Sequence, residues 1–324
     1  MKELPAEYIF NREFMSKRTQ PYGYEQEGTF IDPFTDTGFK IIFGIEGKSE
    51  EFLISFLNSL FEGYGDFDPI THVAYLDKEQ VRENREGRSL VYDINCETST
   101  GHRFIVEMQQ SSEPQFIRRS IMYASRAIVA QSHRGDGAGA WNFLPVVSVS
   151  LCNFRLEELG DELVDNAELI FRKRGTILPG SPRMVYVQLP VFNKSKEECV
   201  TNFDRWIYVL KNMKMMKTMT FEMEQDGVFA RLAKVTSVAA LSPEEQHQYY
   251  RDLKYKNDYI AGLEHQWNTG LQQGLQQGRK EGWKEGGEEA TWKVARNLKD
   301  LGLDLATISK GTGLSISDLE KGLK

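Results

Sequence analysis

Apolar positions along the chain fall into stretches of different period. Phe39, Ile42 and Phe43, then Phe52, Leu53, Phe56, Leu57 and Leu60, recur at three- and four-residue spacing broken at Gly44 and Gly47. That pattern predicts two helices joined by a turn, with a strand to follow at 70–76. Between 89 and 110 the period falls to two. The runs SLVYDINC and HRFIVEMQQ flank Ser99-Thr100-Gly101, a loop suited to a hairpin whose last loop residue is left-handed. If residue 98 opposes 102, Asp93 stands across from Glu107. Alternation then puts Tyr92, Ile94, Cys96, Phe104, Val106 and Met108 on a core face. The other face collects Asp93, Asn95, Glu97, Arg103, Glu107 and Gln109, with only Val91 and Ile105 among them.

Residues 115–131 read as an amphipathic helix with Ile117, Ile121, Ala124 and Ile128 inward and Arg119, Tyr123 and Arg126 on another stripe. The run at 144–154 is apolar enough for a strand buried on both faces. A further strand at 184–192 precedes a helix near 200–213. Helices layered on strands in this order predict an α/β fold. Past residue 220 the chain turns helical, starting at Ser242-Pro243-Glu244-Glu245. It runs into Gly270, Gly274, Gly278, Gly282 and Gly286. Five glycines inside a helix cost about 4 to 5 kcal/mol relative to alanine, so the segment is either a linker or a helix packed on a partner. The end reads as short helices divided by Gly302 and Gly313, with Ser315 or Ser317 as N-cap and a helix-turn-helix-like layout. The expected divisions are an arm at 1–29, a main domain at 30–220, a helical extension at 221–268, the glycine repeat at 269–290 and a helical tail at 291–324.

Composition narrows the class. With 324 residues, 40% hydrophobic and 27% charged, the chain resembles neither a disordered nor a disulfide-stapled protein. Cys96, Cys152 and Cys199 form no metal or disulfide spacing, and the five histidines show none either. No apolar run is long enough to cross a membrane and the N-terminus lacks a signal-peptide core, so a cytoplasmic protein is expected. A net charge of −7 argues against coating nucleic acid by bulk electrostatics, though not against a nuclease whose metal ion meets the phosphate.

The chemistry resides in the hairpin. Opposed carboxylates destabilise a strand pair unless a cation or proton relieves them. With oxygen ligands and no His or Cys set nearby, Mg2+ or Mn2+ is the matching ion. Gln109, two residues beyond Glu107, could orient an attacking water. The bland alternative is a polar strand face. Asp36 and Lys40 are either a helix cap and a surface lysine or groups near a scissile phosphate. Arg119, Tyr123 and Arg126 are either a solvated stripe or phosphate contacts.

Asp93, thirteen residues, then Glu107-Met108-Gln109 resembles the D…(D/E)xK core of the PD-(D/E)XK nuclease superfamily, with Gln in place of Lys. FIDPFTDTGFKIIFG, EFLISFLNSLF, REGRSLVYDINCETSTGHRFIVEMQQ and YVQLPVF, in that order, resemble its recombination-promoting nuclease (Rpn) family, over roughly residues 30 to 290. The resemblance implies a restriction-endonuclease-like mixed sheet with flanking helices, followed by a helical C-terminal extension. It implies an Mg2+-dependent DNA endonuclease linked to recombination or mobile DNA, with Asp93 and Glu107 on the metal and Gln109 placing the water. Tyr92 replaces the motif's Pro, which plays no chemical part, and Gln109 lacks the charge of Lys. A catalytically weak DNA-binding or protein-interaction module on the same fold is the other reading. A DDE-type transposase is disfavoured for want of a third acid on a convincing strand. DNA is the expected partner, a membrane is not, and a homo-oligomer could form through the helical C-terminal region.

Overall fold

A computed structural model describes residues 28–63, 67–76, 79–80, 90–112, 115–131, 143–221 and 227–323. The expected arm at 1–29 lies almost wholly outside the described residues, as do residues 81–89. The elements are α1 (Asp36–Phe43), α2 (Glu50–Phe61), β1 (Val73–Tyr75), β2 (Glu79–Gln80), β3 (Leu90–Val91), β4 (Ile94–Thr98), β5 (Arg103–Gln109), α3 (Phe116–Val129), β6 (Val146–Cys152), β7 (Val164–Ala167), β8 (Ile170–Phe171), β9 (Thr176–Ile177), β10 (Arg183–Gln188), α4 (Asn202–Asn212), α5 (Val228–Thr236), α6 (Pro243–Asp300), α7 (Leu305–Thr312) and α8 (Ile316–Gly322). They form two compact units, one ending at Lys256 and the other resuming at Asn257.

The first unit is built on a six-stranded mixed sheet in the order β1-β4-β5-β6-β10-β7. β5, β6 and β10 run parallel, while β1, β4 and β7 complete the sheet antiparallel to their neighbours. This is the restriction-endonuclease-like α/β architecture that the sequence suggested. The hairpin register is the expected one, Ile94 opposite Val106 and Cys96 opposite Phe104. Its turn closes through the Gly101 amide donating to the Thr98 carbonyl at 3.0 Å, and Gly101 takes φ +74°, which a side chain would disfavour. Every residue of β6 is buried, as a strand with parallel neighbours on both sides requires.

Helices cover both faces. One face carries α1, α2, α4, α5 and the start of α6 over Ile94, Cys96, Phe104, Val106, Val149 and Val185. The other carries α3 over Ile105, Val146, Cys152 and Tyr186. Local sequence explains the helix starts: the Thr35 hydroxyl accepts from the Gly38 amide to cap α1, and Thr201 with Asp204 forms a capping box on α4. The Asp32 backbone amide donates to the Tyr249 hydroxyl at 2.9 Å, and Lys256 Nζ meets the Asp32 carboxylate at 2.7 Å. Burial would raise the Asp32 pKa, but Lys256 and Lys214 outweigh it and hold the carboxyl below its ordinary value. Val228, Phe229, Leu232, Leu241 and Tyr249 belong to the same core as the sheet, which therefore continues past residue 220.

Several expectations are corrected. The strand at 70–76 shrinks to Val73–Tyr75. The strand at 184–192 stops at Gln188, because Pro190 has no amide to extend the ladder, and the Leu189–Val191 stretch turns as a short 3-10 helix. β7, β8, β9 and α5 had no clear signal in the periodicity. On α3 the buried residues are Phe116, Ser120, Ala124 and Ala127, while Ile121 is exposed. Small side chains let this helix lie close to the sheet, and the Ser120 hydroxyl is satisfied by Tyr186 at 2.7 Å.

In the second unit the glycine repeat lies within α6, and Gly270, Gly274, Gly278, Gly282 and Gly286 each face open space. Ala295, Ile308, Leu319 and Leu323 form a small core with Trp292 and Leu298 packed against it. Asp304 caps α7 and Ser315 caps α8, so the first of the two expected serines is the cap.

Candidate active site

The site forms where β4 begins and β5 ends. Asp93 is not a ladder residue, since the β4–β5 ladder starts one residue after it, at Ile94 opposite Val106, and the chain bends at Asp93. The bend turns strand alternation off there. Tyr92 consequently packs on the α3 side, its ring edge-on to Tyr123 at 5.6 Å, and not with Ile94 as the alternation predicted. The two acids are nonetheless tied together through the backbone. The Asp93 amide donates to Glu107 Oε1 at 3.2 Å, and the Met108 amide donates to Asp93 Oδ2 at 2.9 Å.

This face of the hairpin is largely buried at Asn95, Arg103 and Glu107, which disfavours the bland alternative of a solvated polar face. Glu107 is 6% exposed and Asn95 is fully buried. Arg103 is buried toward the other end of β5, donating from Nε to Asn95 Oδ1 at 3.1 Å. Burial, and then the neighbouring charge of Asp93, push the Glu107 carboxyl well above the usual carboxylate range; the hydrogen bond from the Asp93 amide and the charge of Arg119 offset this only in part.

Gln109 sits next to this pair. Its Nε2 donates to Glu107 Oε2 at 3.3 Å, and its Oε1 accepts from Arg119 of α3. The guanidinium is donor-only, so it fixes the amide with Nε2 toward the acids and leaves that nitrogen one further hydrogen to give. Of the α3 stripe, Arg119 thus joins the group directly. Tyr123 contributes its carbonyl to the Tyr92 hydroxyl at 3.2 Å, and Arg126 acts on Tyr92 through its charge. Asp36 and Lys40 pair with each other at 2.6 Å, one turn apart on α1.

Asn95 and Arg103 share this face further along β4 and β5, Tyr92 immediately precedes Asp93, and none of the three was singled out from sequence. The available signal was an arginine and an asparagine alternating with carboxylates on a strand with apolar flanks. The buried Gln110 Oε1, with no hydrogen-bond partner, gave no signal.

The donor set fits a divalent cation in its chemistry. It offers two carboxylates, hard oxygen ligands, whose mutual repulsion a cation would relieve. Among the described residues no cluster of three or more His, Cys, Asp or Glu side chains suited to a metal occurs, so protein ligation would rest on this pair and on backbone or amide oxygens. The fold is thus a mixed α/β sheet with two acids paired at the β4–β5 end. Residues 33–266 match the family model described as PD-(D/E)XK nuclease family transposase, and the chain belongs to that family. A nuclease- or transposase-like role, a DNA substrate and dependence on a divalent metal are properties of such families. No curated protein and no solved structure matches the chain. Among the described residues no helix is long and apolar enough to cross a membrane.

Proposed function

We propose that the protein is an Mg2+- or Mn2+-dependent DNA endonuclease that hydrolyses phosphodiester bonds in the cytoplasm, in recombination or transposition of mobile DNA. The observation that carries this reading is the buried Glu107 tied to Asp93, with Glu107 held above its ordinary pKa by burial and by that neighbour. Charge crowding of this kind is a mark of functional sites. Asp93 and Glu107 would hold the ion, which when bound supplies Lewis-acid charge at the phosphate and eases deprotonation of water. Gln109, held by Arg119, offers its free N–H to orient the attacking water. Arg119 brings a fixed positive charge to the edge of the site, where it also stabilises charge building on the phosphate. Tyr123 and Arg126, on the same helix, extend the surface for flanking phosphates.

A second proposal concerns assembly. Leu263, Leu271, Leu275 and Trp283 recur at multiples of four along α6, all exposed, next to the bare glycines. An isolated helix with this composition is costly, and because a four-residue period drifts about 40° per repeat, a second copy of α6 wound around this one would cover the exposed side chains.

The test is nicking of supercoiled plasmid with Mg2+, Mn2+ or EDTA. Wild type should cut only with metal. Asp93→Ala should lose all measurable cleavage yet melt within about 1 kcal/mol of wild type, relief of repulsion offsetting the lost Met108 amide bond. Gln109→Leu should lose about 2.7 to 4 kcal/mol of transition-state stabilisation, roughly a hundred- to thousandfold in rate. Cleavage retained by a clean Asp93→Ala preparation would place the chemistry elsewhere and favour the binding-module reading.

A further inference from the structure

We infer that the β8–β9 hairpin is a nucleic-acid-binding finger, a second contact that grips duplex DNA away from the point of cutting. The inference rests on DNA being the substrate. It starts from the tip, Arg172-Lys173-Arg174-Gly175, three consecutive cations in a chain of net charge −7. All three are exposed, and among the described residues none of their side chains has an acidic or hydrogen-bonding partner. The loop is nevertheless ordered by its backbone. The amides of Arg174 and Gly175 donate to the Phe171 carbonyl at 2.9 and 2.8 Å, with Gly175 at φ +70°.

The base of the hairpin contrasts with its tip. Glu168 pairs with Arg183 at 2.6 Å, and the Arg183 guanidinium lies 4.9 Å from the Phe67 ring centroid. The hairpin is therefore anchored below and bare above. Its stems expose Leu169, Ile170, Phe171, Ile177 and Leu178, with Ile170 at 58% and Phe171 at 47%. A two-stranded hairpin in water is marginal, and a run of exposed apolar residues on one marks a surface that a ligand covers.

An apolar protein surface would cover the stems but leave three adjacent cations without counter-charge, and an acidic one would have to set its carboxylates beside an apolar patch. Duplex DNA accounts for both. Cations at the tip meet phosphates, a two-stranded ribbon fits a groove, and apolar side chains pack on sugars and base edges there.

Register locates the finger. Ala167 at the end of β7 is level, through Met184 and Ser148, with Ile105, and β7 runs toward the Arg103 end of the sheet, away from Glu107. The finger's base is three strands from β5, about 14 Å, and its tip is six residues further, so it lies within roughly 35 Å of Glu107. At 3.4 Å per base pair that is about ten base pairs, one turn of duplex.

The experiment compares wild type, Asp93→Ala and the triple variant Arg172→Ala/Lys173→Ala/Arg174→Ala. Binding is measured in EDTA to a 40-base-pair duplex across a salt series, and cleavage is measured with Mg2+. Neutralising three phosphate contacts should reduce the slope of log affinity against log salt by about 2.7, with affinity at moderate salt falling at least tenfold. Phe171→Ser should weaken binding while leaving the slope unchanged. Because the tip touches no other described side chain, the triple variant should melt as wild type does. Its KM for the long duplex should rise while kcat on a 12-base-pair duplex is unaffected. An unchanged salt slope in the triple variant would overturn the finger, even if Asp93→Ala abolishes cutting. Loss of the slope with no cutting by wild type would overturn the nuclease reading and leave the finger standing. Co-sedimentation with phosphatidylserine vesicles covers the alternative anion, and tip-dependent vesicle binding beside unchanged DNA binding would likewise overturn the proposal.

Discussion

The two faces of the central sheet solve different problems with the same strands. Under α1, α2, α4 and α5 the contacts are dry and aromatic: Trp206 is fully buried and its ring lies 5.6 Å from Phe43, 6.1 Å from Phe56 and 5.1 Å from Phe229. Under α3 the apolar cluster is smaller and shares its space with Asn95, Arg103, Glu107 and Ser120, all buried. Burying a charged group is unfavourable unless something else holds the structure together. The aromatic face does so, which frees the α3 face to keep Glu107 in a crowded, destabilising position beside Asp93. Stability and chemistry are thus separated across one layer of backbone.

The sharpest way to break this contrast is Trp206→Ala. It should cost about 3 to 5 kcal/mol, read by urea unfolding, while DNA cleavage per folded molecule stays within twofold. A comparable loss of activity per folded molecule would mean that the faces are not independent.

A smaller effect is expected at Asp32, the charged exception on the dry side. Asp32→Asn removes the buried carboxylate that Lys256 pairs with at 2.7 Å but keeps an acceptor there, so the cost at neutral pH should be about 3 kcal/mol, the low end for a broken buried pair. The folded-state pKa of Asp32 lies below its unfolded value near 3.9. Its contribution is therefore fully present above about pH 4 and is lost as pH falls through the folded value, because the unfolded chain takes up the proton first. Melting temperature against pH should show that acid limb in wild type and a shallower one in the variant. Parallel acid limbs would remove Asp32 from the stabilising set.

The smallest effect sharpens the α3 assignment. Ile121→Ser should change stability by no more than about 0.5 kcal/mol, since Ile121 is exposed. A loss above about 2 kcal/mol would show that the helix presents Ile121 to the sheet, as its sequence stripe suggested.

Much of the core was legible from residue pattern. The β4–β5 register follows from Gly101 and a period of two, and the central position of β6 follows from its unbroken apolar run. The proximity of Asp93 to Glu107 could be read in the same way, but the means of that proximity could not. Alternation assumes a regular strand, and the bend at Asp93 ends regularity one residue earlier than the pattern did, sending Tyr92 to the opposite face. On α3 the inward stripe was right at Ala124, and Ile117 and Ile128 pack against the cluster, but hydrophobicity favoured Ile121 where the buried positions are Ser120 and Ala127. The partnership of Gln109 with Arg119 joins residues ten apart on different elements, and no local period encodes it. β8 and β9 are two residues each, too short for a periodic signal.

The tie between Asp32 and Lys256 also has a consequence in time. These residues are separated by 224 positions. The Thr37 hydroxyl and amide on α1 likewise wait for Asp252, at 2.5 and 2.9 Å. At about 5 to 20 residues per second of synthesis, the partners of Asp32 and Thr37 arrive roughly 11 to 45 seconds after the residues they satisfy. The β4–β5 hairpin, closed over a few residues, can form in microseconds. On a ribosome the paired acids can therefore meet well before Asp32 gains the Lys256 ammonium, and the α1 contacts with Asp252 and Lys256 are among the last to be made.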